Sequence, residues 1–325
     1  MNKKKILITG GLGFIGSKLA QKLIDKNYKV DIIDDCSTGN FSNIEPKYIK
    51  KINIYKDSIL NEKIIKKLIS KNDYVFHLAA SVGVKFILEN PLKSIDTNLN
   101  GTKLILKYCD IFKKKVLIAS SSEVYGLNNK KEFIEKDVHT IGNSFFFRWS
   151  YAASKLVDEF YANAYKIERN LKVCIVRFFN TVGPGQTGRY GMVIPRFVKA
   201  AMNNQDIEVY GNGKQNRTFL HVDDATDALI KIMTNNKFDT YNLGGRENIQ
   251  IKSLAEKIIK LSNSQSKIKL VDYKKAYNLS KKYKNNYQDI INRHPSIKKI
   301  KKDLKFSPKK SLKTIIKDIL NHFKN

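Results

Sequence analysis

At 325 residues the chain exceeds what one core usually takes, so a peptide or lone motif is excluded and two lobes are expected. Its 42% hydrophobic content is globular, with no run of about 18 apolar residues to span a bilayer, so membrane insertion is excluded too. Sixty Lys and Arg against 30 Asp and Glu leave a formal charge of +30, which raises the question of a nucleic-acid partner. Only eight of the sixty are Arg, whose bidentate fork reads base edges, so no nucleic acid is expected. Lysine clusters at Lys113–Lys115, Lys281–Lys284 and Lys298–Lys302 read as solvated helix faces, while the positive field favours an anionic substrate. Cys36, Cys109 and Cys174 form no CxxC pair, so neither a disulfide framework nor a metal site is expected. The apolar stretch near the N-terminus is too short for a secretory leader, and a reducing cytoplasm is the expected location.

In chain order, short β-branched runs alternate with amphipathic stretches of helical length. Strands are expected at Lys5–Thr9, Lys29–Asp34, Tyr74–Ala79, Val116–Ser120 and Lys172–Arg177. Helices are expected at Gly16–Lys26, Ile59–Ser70, Ile95–Phe112 and Tyr151–Glu168. This alternation implies an α/β fold with a doubly wound, Rossmann-type parallel sheet covered on both faces. Beyond Arg177 the alternation is broken by Gly183, Pro184, Gly185, Gly188, Gly191, Pro195, Gly211 and Gly213, where a second, smaller lobe begins. His221–Met233 reads as a helix returning to the first lobe, with further helices at Ser253–Ser262 and Leu312–Phe323. The expected division is a dinucleotide-binding domain over 1–178, with 218–244 returning to it, and a substrate-binding domain over 179–217 and 245–325.

Gly10, Gly13 and Gly16 directly follow the first strand and open the first helix. Glycine suits these places because the backbone must turn tightly, approach a pyrophosphate closely and pack the helix on the sheet, leaving helix N–H groups for phosphate oxygens. The second strand ends at Asp34, eighteen residues beyond Gly16, where a carboxylate can accept hydrogen bonds from an adenosine ribose diol. It would repel a 2′-phosphate, so NAD is expected rather than NADP. Asp57, after the next short strand, is a candidate neighbour of the adenine.

Ser120-Ser-Ser-Glu-Val-Tyr-Gly126 follows a buried strand, whose C-terminal end faces the ligand crevice of such a sheet. Thirty residues beyond Ser121 comes Tyr151-Ala-Ala-Ser-Lys155, which puts phenol and ammonium on one helical face. A nearby cation favours phenolate and lowers the phenol below its unperturbed pKa of about 10, making Tyr151 a general base near neutral pH. Ser121 is expected to hydrogen-bond the same substrate hydroxyl. His77, inside an apolar strand, reads as a satisfied core histidine.

The ordered motifs TGGLGFIG, HLAA (77–80), NLNGT (98–102), SSSEVYG, YAASK, RFFNTVGP (177–184) and RTFLHVDD (217–224) resemble the extended short-chain dehydrogenase/reductase family of NAD-dependent sugar-nucleotide epimerases, dehydratases and decarboxylases. The resemblance runs from about residue 5 to beyond residue 310. It implies that Ser121, Tyr151 and Lys155 are catalytic, with Glu123 beside them. It also implies that Lys155 binds the nicotinamide ribose and that Phe14, Ile15, Ala79 and Asn98 join the cofactor site. Asn180 and Arg217 match phosphate-holding positions, Tyr210 one that stacks on the nucleobase, Arg293 an arginine at the diphosphate or sugar, and Ser122 a substrate contact. A homodimer built through the helices around 95–112 and 151–168 is implied as well.

In this family the sugar C4 hydroxyl is oxidised to a 4-ketone, and the fate of that ketone defines the enzyme. A 4,6-dehydratase carries Asp-Glu before Val-Tyr-Gly; here Ser122 and Glu123 stand there, and a serine cannot serve as that acid. The first reading is a UDP-sugar 4-epimerase, an isomerase. The alternative is a UDP-glucuronate decarboxylase, a lyase, which the residues Arg148-Trp-Ser before Tyr151 and Arg293 before His-Pro-Ser resemble. A non-catalytic NAD-binding sensor or scaffold is the reading from a different class, and the intact Ser121, Tyr151 and Lys155 argue against it.

Overall fold

The structure, a computed structural model, describes residues 3–188, 192–276 and 288–324; Gly191 and the lysine run 281–284 lie outside the described residues. The chain begins β1 (Lys5–Thr9), α1 (Phe14–Asp25), β2 (Lys29–Asp34), α2 (Pro46–Ile49), β3 (Ile52–Lys56), α3 (Glu62–Lys71) and β4 (Tyr74–His77). It continues with α4 (Val84–Glu89), α5 (Pro91–Ile111), β5 (Lys115–Ser121), α6 (Arg148–Arg169), β6 (Val173–Phe178), β7 (Thr181–Val182) and α7 (Val193–Met202). Then come β8 (Ile207–Tyr210), β9 (Asn216–Thr218), β10 (Leu220–His221), α8 (Val222–Thr234), β11 (Thr240–Leu243) and β12 (Asn248–Gln250). The chain closes with α9 (Ile251–Ser262), β13 (Ile268–Val271), α10 (Tyr273–Ala276), β14 (Asn292–Arg293), α11 (Lys298–Leu304) and α12 (Leu312–Lys324).

Seven strands form one parallel sheet in the order β11-β6-β5-β4-β1-β2-β3, the doubly wound architecture that the alternation implied. β1 shows why its residues make a central strand. Ile6 and Ile8 enter the core on one face with Leu19 and Leu229, and Leu7 enters the opposite core with Ile65, Ile105 and Ile118. Alternate side chains thus meet apolar partners on both sides, each burial worth roughly 1.5–3 kcal/mol. The strand order reverses at β1 and β4, and in doubly wound sheets ligands bind outside the carboxyl ends of the strands at such a reversal.

Several boundaries differ from expectation. α5 begins at Pro91, earlier than Ile95, because proline's missing N–H costs nothing in a first helical turn. α6 begins at Arg148, placing Tyr151 one turn inside the helix. His221 ends β10 and caps α8 by accepting from the Asp223 N–H rather than opening the helix. α8 packs beside α1, and β11 extends the sheet beyond β6. Ile300, Leu304 and Phe306 are buried in that same first-lobe core, which departs from the expectation that 245–325 lies wholly in the second lobe. α11 lies against β11, where the last strand of the sheet leaves an apolar face to cover. The second lobe has its own core of α7, α9 and α12, with Phe197, Leu254 and Ile316 inside. Among the described residues no helix is long and apolar enough to cross a membrane.

Candidate active site

The loop after β1 is a backbone cradle. A Cβ on Gly10, whose φ is +70°, would lie 2.7 Å from the Ala79 nitrogen, and one on Gly16 would lie 2.2 Å from the Gly10 oxygen. Gly13 caps α1 with an extended backbone and no side chain in the way. Phe14 and Ile15 form the first residues of the helix, with Ile15 packed on the first-lobe core. Buried Asp34 closes the cradle's rim, accepting from the Leu12 and Cys36 N–H groups at 2.9 Å each. Burial pushes its carboxyl up, and these backbone donors pull it back. A loop in which a Cβ on Gly10 or Gly16 would strike backbone, edged by a carboxylate at the end of β2, fits a dinucleotide's pyrophosphate and ribose. Asp57 accepts from Ser58 N (2.7 Å) and Asn61 Nδ2 (2.9 Å), ordering the turn into α3. The Ala79 N–H donates to Thr9 Oγ1 at 3.2 Å. Asn98 accepts from Ser81 N at 2.8 Å and donates to Ser154 Oγ at 3.2 Å, tying the loop after β4 to α6.

Ser121 ends β5, and its Oγ accepts from Glu123 N at 3.2 Å, starting the short turn 122–125. Ser121 lies close enough to the Tyr151 phenol to favour its ionised form, so the end of β5 and the start of α6 face one another. The electrostatics differ from expectation. Burial, and next the Glu123 carboxylate, push the phenol well above its ordinary range, with Ser121 and Arg293 opposing. The Lys155 ammonium, 2% exposed, has the fully buried carboxylate of Asp158 at 3.2 Å. An ammonium taken out of water needs a counter-ion, and the acid one turn along the same helix face provides it. His77 is buried between Thr9 Oγ1 (2.8 Å) and Thr102 Oγ1 (3.1 Å), and burial followed by Lys155 lowers its pKa to about 3. It is a neutral, satisfied core histidine.

Beyond the phenol lies a ladder of alternating charge. β14 pairs with β9 so that Arg293 stands opposite Arg217, two like charges brought side by side. Two carboxylates make this tolerable. Arg293 Nη1 donates to Glu123 Oε1 at 2.9 Å and its Nε to Ser122 Oγ at 3.0 Å, while Arg217 Nη2 donates to Asp289 Oδ1 at 3.1 Å. Arg148 joins the halves, donating to Glu123 Oε2 at 2.8 Å and lying 3.4 Å from Asp289 Oδ1. Burial would push Glu123 up, but Arg148 and Arg293 together hold its carboxyl below the usual carboxylate range. Burial lowers Arg293, with the Arg217 and Arg148 charges adding to the effect and Glu123 countering it.

Asn180 adopts a left-handed conformation (φ 33°), and its Nδ2 donates to the Thr218 carbonyl at 2.9 Å. The Tyr210 ring carries the Arg196 guanidinium 3.8 Å from its centroid, so the aromatic face expected to hold a base already stacks on a cation. Glu123, Ser122, Arg293 and Tyr151 therefore come together, and Arg217 joins them through Asp289 and Arg148; Asn180 bonds to β9 at Thr218, next to Arg217, and Tyr210 ends β8. Sequence reasoning missed Arg148, Asp158 and Asp289 as site residues. For Asp158 a signal existed, since i and i+3 share a helix face; Asp289, a lone acid in an Asn, Tyr and Lys tail, carried none.

Comparison with known proteins finds likeness along nearly the whole chain. A family profile described as GDP-mannose 4,6 dehydratase matches residues 7–319. A UDP-N-acetyl-alpha-D-glucosaminuronate decarboxylase of Bacillus cytotoxicus is 38% identical over 99% of this chain and 98% of its own length. UDP-glucuronic acid decarboxylase 1 of Xenopus tropicalis is 30% identical over 99% of this chain and 73% of its own. Among solved structures, UDP-N-acetylglucosamine 4-epimerase of Methanobrevibacter ruminantium M1, in complex with UDP-N-acetylmuramic acid, is 28% identical with a TM-score of 0.87. That match covers 100% of this chain and 99% of the epimerase.

Proposed function

We propose that this chain, which belongs to the GDP-mannose 4,6-dehydratase-like family of NAD-dependent sugar-nucleotide epimerases, dehydratases and decarboxylases, removes CO2 from a UDP-linked hexuronate by way of a 4-keto intermediate. It acts on UDP-sugars as an enzyme of that family, and decarboxylation moves ahead of the 4-epimerisation ranked first from sequence. The observation that carries this reading is the charge ladder. Within it three guanidinium groups face two carboxylates, all largely buried, and the surplus positive charge beside Tyr151 suits a substrate with a second anionic group on its sugar. With Arg217 given to the diphosphate, Arg293, whose charge acts on the Tyr151 phenol, is the cation left for a carboxylate on the sugar.

The glycine cradle and Asp34 would hold NAD, which would supply a reversible hydride acceptor for sugar C4 and a positive charge that favours the Tyr151 phenolate against the burial that raises it. Tyr151 takes the C4 hydroxyl proton while Ser121 hydrogen-bonds the same oxygen. The resulting C4 carbonyl lies β to the C5 carboxylate, so the electron pair of the C5–C6 bond can pass into it as CO2 leaves. Arg293 and Ser122 orient the carboxylate until then. Glu123, kept ionised by two arginines, fixes Arg293 and does not itself donate a proton. After C5 is reprotonated, Tyr151 returns its proton to the C4 oxygen as the ketone is reduced.

A second reading, 4-epimerisation, is favoured by the likeness to the Methanobrevibacter enzyme. Incubation with NAD and UDP-glucuronate or UDP-N-acetylglucosaminuronate, each carrying 13C in the carboxyl, tests the two. Labelled CO2 and a UDP-pentose support decarboxylation, label retained in a UDP-hexuronate of changed configuration supports epimerisation, and no turnover of either substrate defeats the proposal. We also propose a homodimer through the outer faces of α5 and α6, where Leu92, Val157, Phe160 and Ile167 are exposed.

A further inference from the structure

We propose that Arg148 is a positioning residue that couples recognition of the substrate's diphosphate at Arg217 to the orientation of Arg293 and Glu123 at its sugar. This rests on the reading above for what occupies each end. The geometry is a continuous chain of charges. Arg217 holds Asp289, Arg148 reaches both Asp289 and Glu123, and Glu123 holds Arg293. The Arg148 side chain is only 3% exposed, so its charge acts inside the protein and is not spent on solvent. It also belongs to α6, the helix that carries Tyr151 and Lys155. Each end of the chain belongs to a different element, and among the described residues the Arg148 guanidinium is the ion-pair partner that both carboxylates share.

The segment from 288 is fastened to the same helical turn. Arg148 Nη1 donates to the Gln288 carbonyl at 2.5 Å, the guanidinium stacks over Trp149 at 5.0 Å from its ring, and Trp149 Nε1 donates to Gln288 Oε1 at 3.3 Å. Ile290 packs with Trp149 and Ala152. A ligand that pulls on Arg217 therefore pulls on Asp289, and through Arg148 on the carboxylate that aims Arg293. Trp149 is the only tryptophan in the sequence, so the protein reports on this junction by its own fluorescence.

The test compares NAD-loaded wild type with Arg148→Gln and Arg148→Lys. In Arg148→Gln, UDP alone, which lacks the sugar, is expected to bind within about threefold of wild type. Turnover of the UDP-hexuronate is expected to fall about tenfold to a hundredfold, the range for displacing reacting groups by ~1 Å. Arg148→Lys, which keeps the charge but not the fork, recovers part of the loss. The acid limb of kcat also moves. Glu123 is faced by Arg148 and Tyr151 from α6, Arg293 from β14, Arg217 from β9 and Ser121 from β5. Removing one cation lets its carboxyl protonate at a higher pH, so the limb shifts upward in Arg148→Gln. An unchanged kcat and limb, or UDP affinity and kcat falling by one common factor with the limb unmoved, overturns the coupling. Should wild type turn over no hexuronate, the proposed function fails, and the coupling is read from UDP alone. A UDP-induced change in Trp149 fluorescence present in wild type and abolished in Arg148→Gln supports it, and an equal change in both proteins overturns it.

Discussion

Gly16→Ala tests whether the backbone cradle is where the dinucleotide lies. The added Cβ would fall 2.2 Å from the Gly10 carbonyl oxygen and 2.8 Å from the Gly11 Cα, both backbone atoms with no rotamer to give way. Ordinary carbon contacts need about 3.5 Å, so loop and helix must part by roughly 1 Å. Such overpacking costs the fold about 1–3 kcal/mol. The same displacement carries the first N–H groups of α1 away from a pyrophosphate, and a hydrogen bond to a charged group is worth about 1.5–3 kcal/mol. Losing one such bond weakens NAD about tenfold to a hundredfold. Calorimetric titration of NAD into both proteins measures this, with thermal unfolding of the same samples showing that the variant remains folded. Gly185→Ala is the control, since its φ of +86° strains any side chain but nothing lies within 4 Å of the new Cβ; it should lose stability and keep NAD. A folded Gly16→Ala protein that binds NAD with wild-type affinity would refute this placement.

Three further outcomes are expected from the buried charges and the exposed helix face. Asp158→Asn strips the buried Lys155 ammonium of its counter-ion and should lower stability by about 3–5 kcal/mol, read as a drop in the urea midpoint; an unchanged midpoint contradicts the pairing. His77 titrates at about 3 when folded and near its ordinary value of about 6.5 when unfolded, so between these the unfolded chain binds more protons. Stability should therefore fall as pH drops from about 6.5 toward about 3, and His77→Gln should flatten that slope; an equal slope in the variant removes His77 from the acid response. Phe160, 65% exposed on α6, should hold the proposed dimer, so Phe160→Glu is expected to give a folded monomer by light scattering, and a dimer of unchanged mass argues against this face.

The doubly wound sheet was legible because its strands are apolar on both faces, as the adjacent residues Ile6, Leu7 and Ile8 show. The cradle was legible because Gly10 and Gly16 stand where a Cβ meets backbone, a constraint that leaves its mark at fixed spacing. The arginine ladder was only half visible. Arg217 and Arg293 were singled out by motif, but their register depends on β9 pairing with β14 across 76 residues of chain, which no local pattern encodes. The phenol was misjudged for a related reason. Helical spacing places Lys155 near Tyr151, yet spacing is silent on Glu123, which arrives from the end of another strand and acts against the phenolate. The return of Ile300, Leu304 and Phe306 to the first core was hidden by the lysines around them, whose charged ends dominate the local composition while the apolar residues face inward.

Turnover in deuterium oxide bears most directly on the claim that a carboxylate is lost from C5. Purified protein with NAD and a UDP-hexuronate, followed by NMR, should yield a UDP-pentose carrying a single deuterium at C5, because that carbon is reprotonated from solvent once CO2 has gone. A six-carbon product that keeps its carboxyl group and all of its carbon-bound hydrogens would contradict the account.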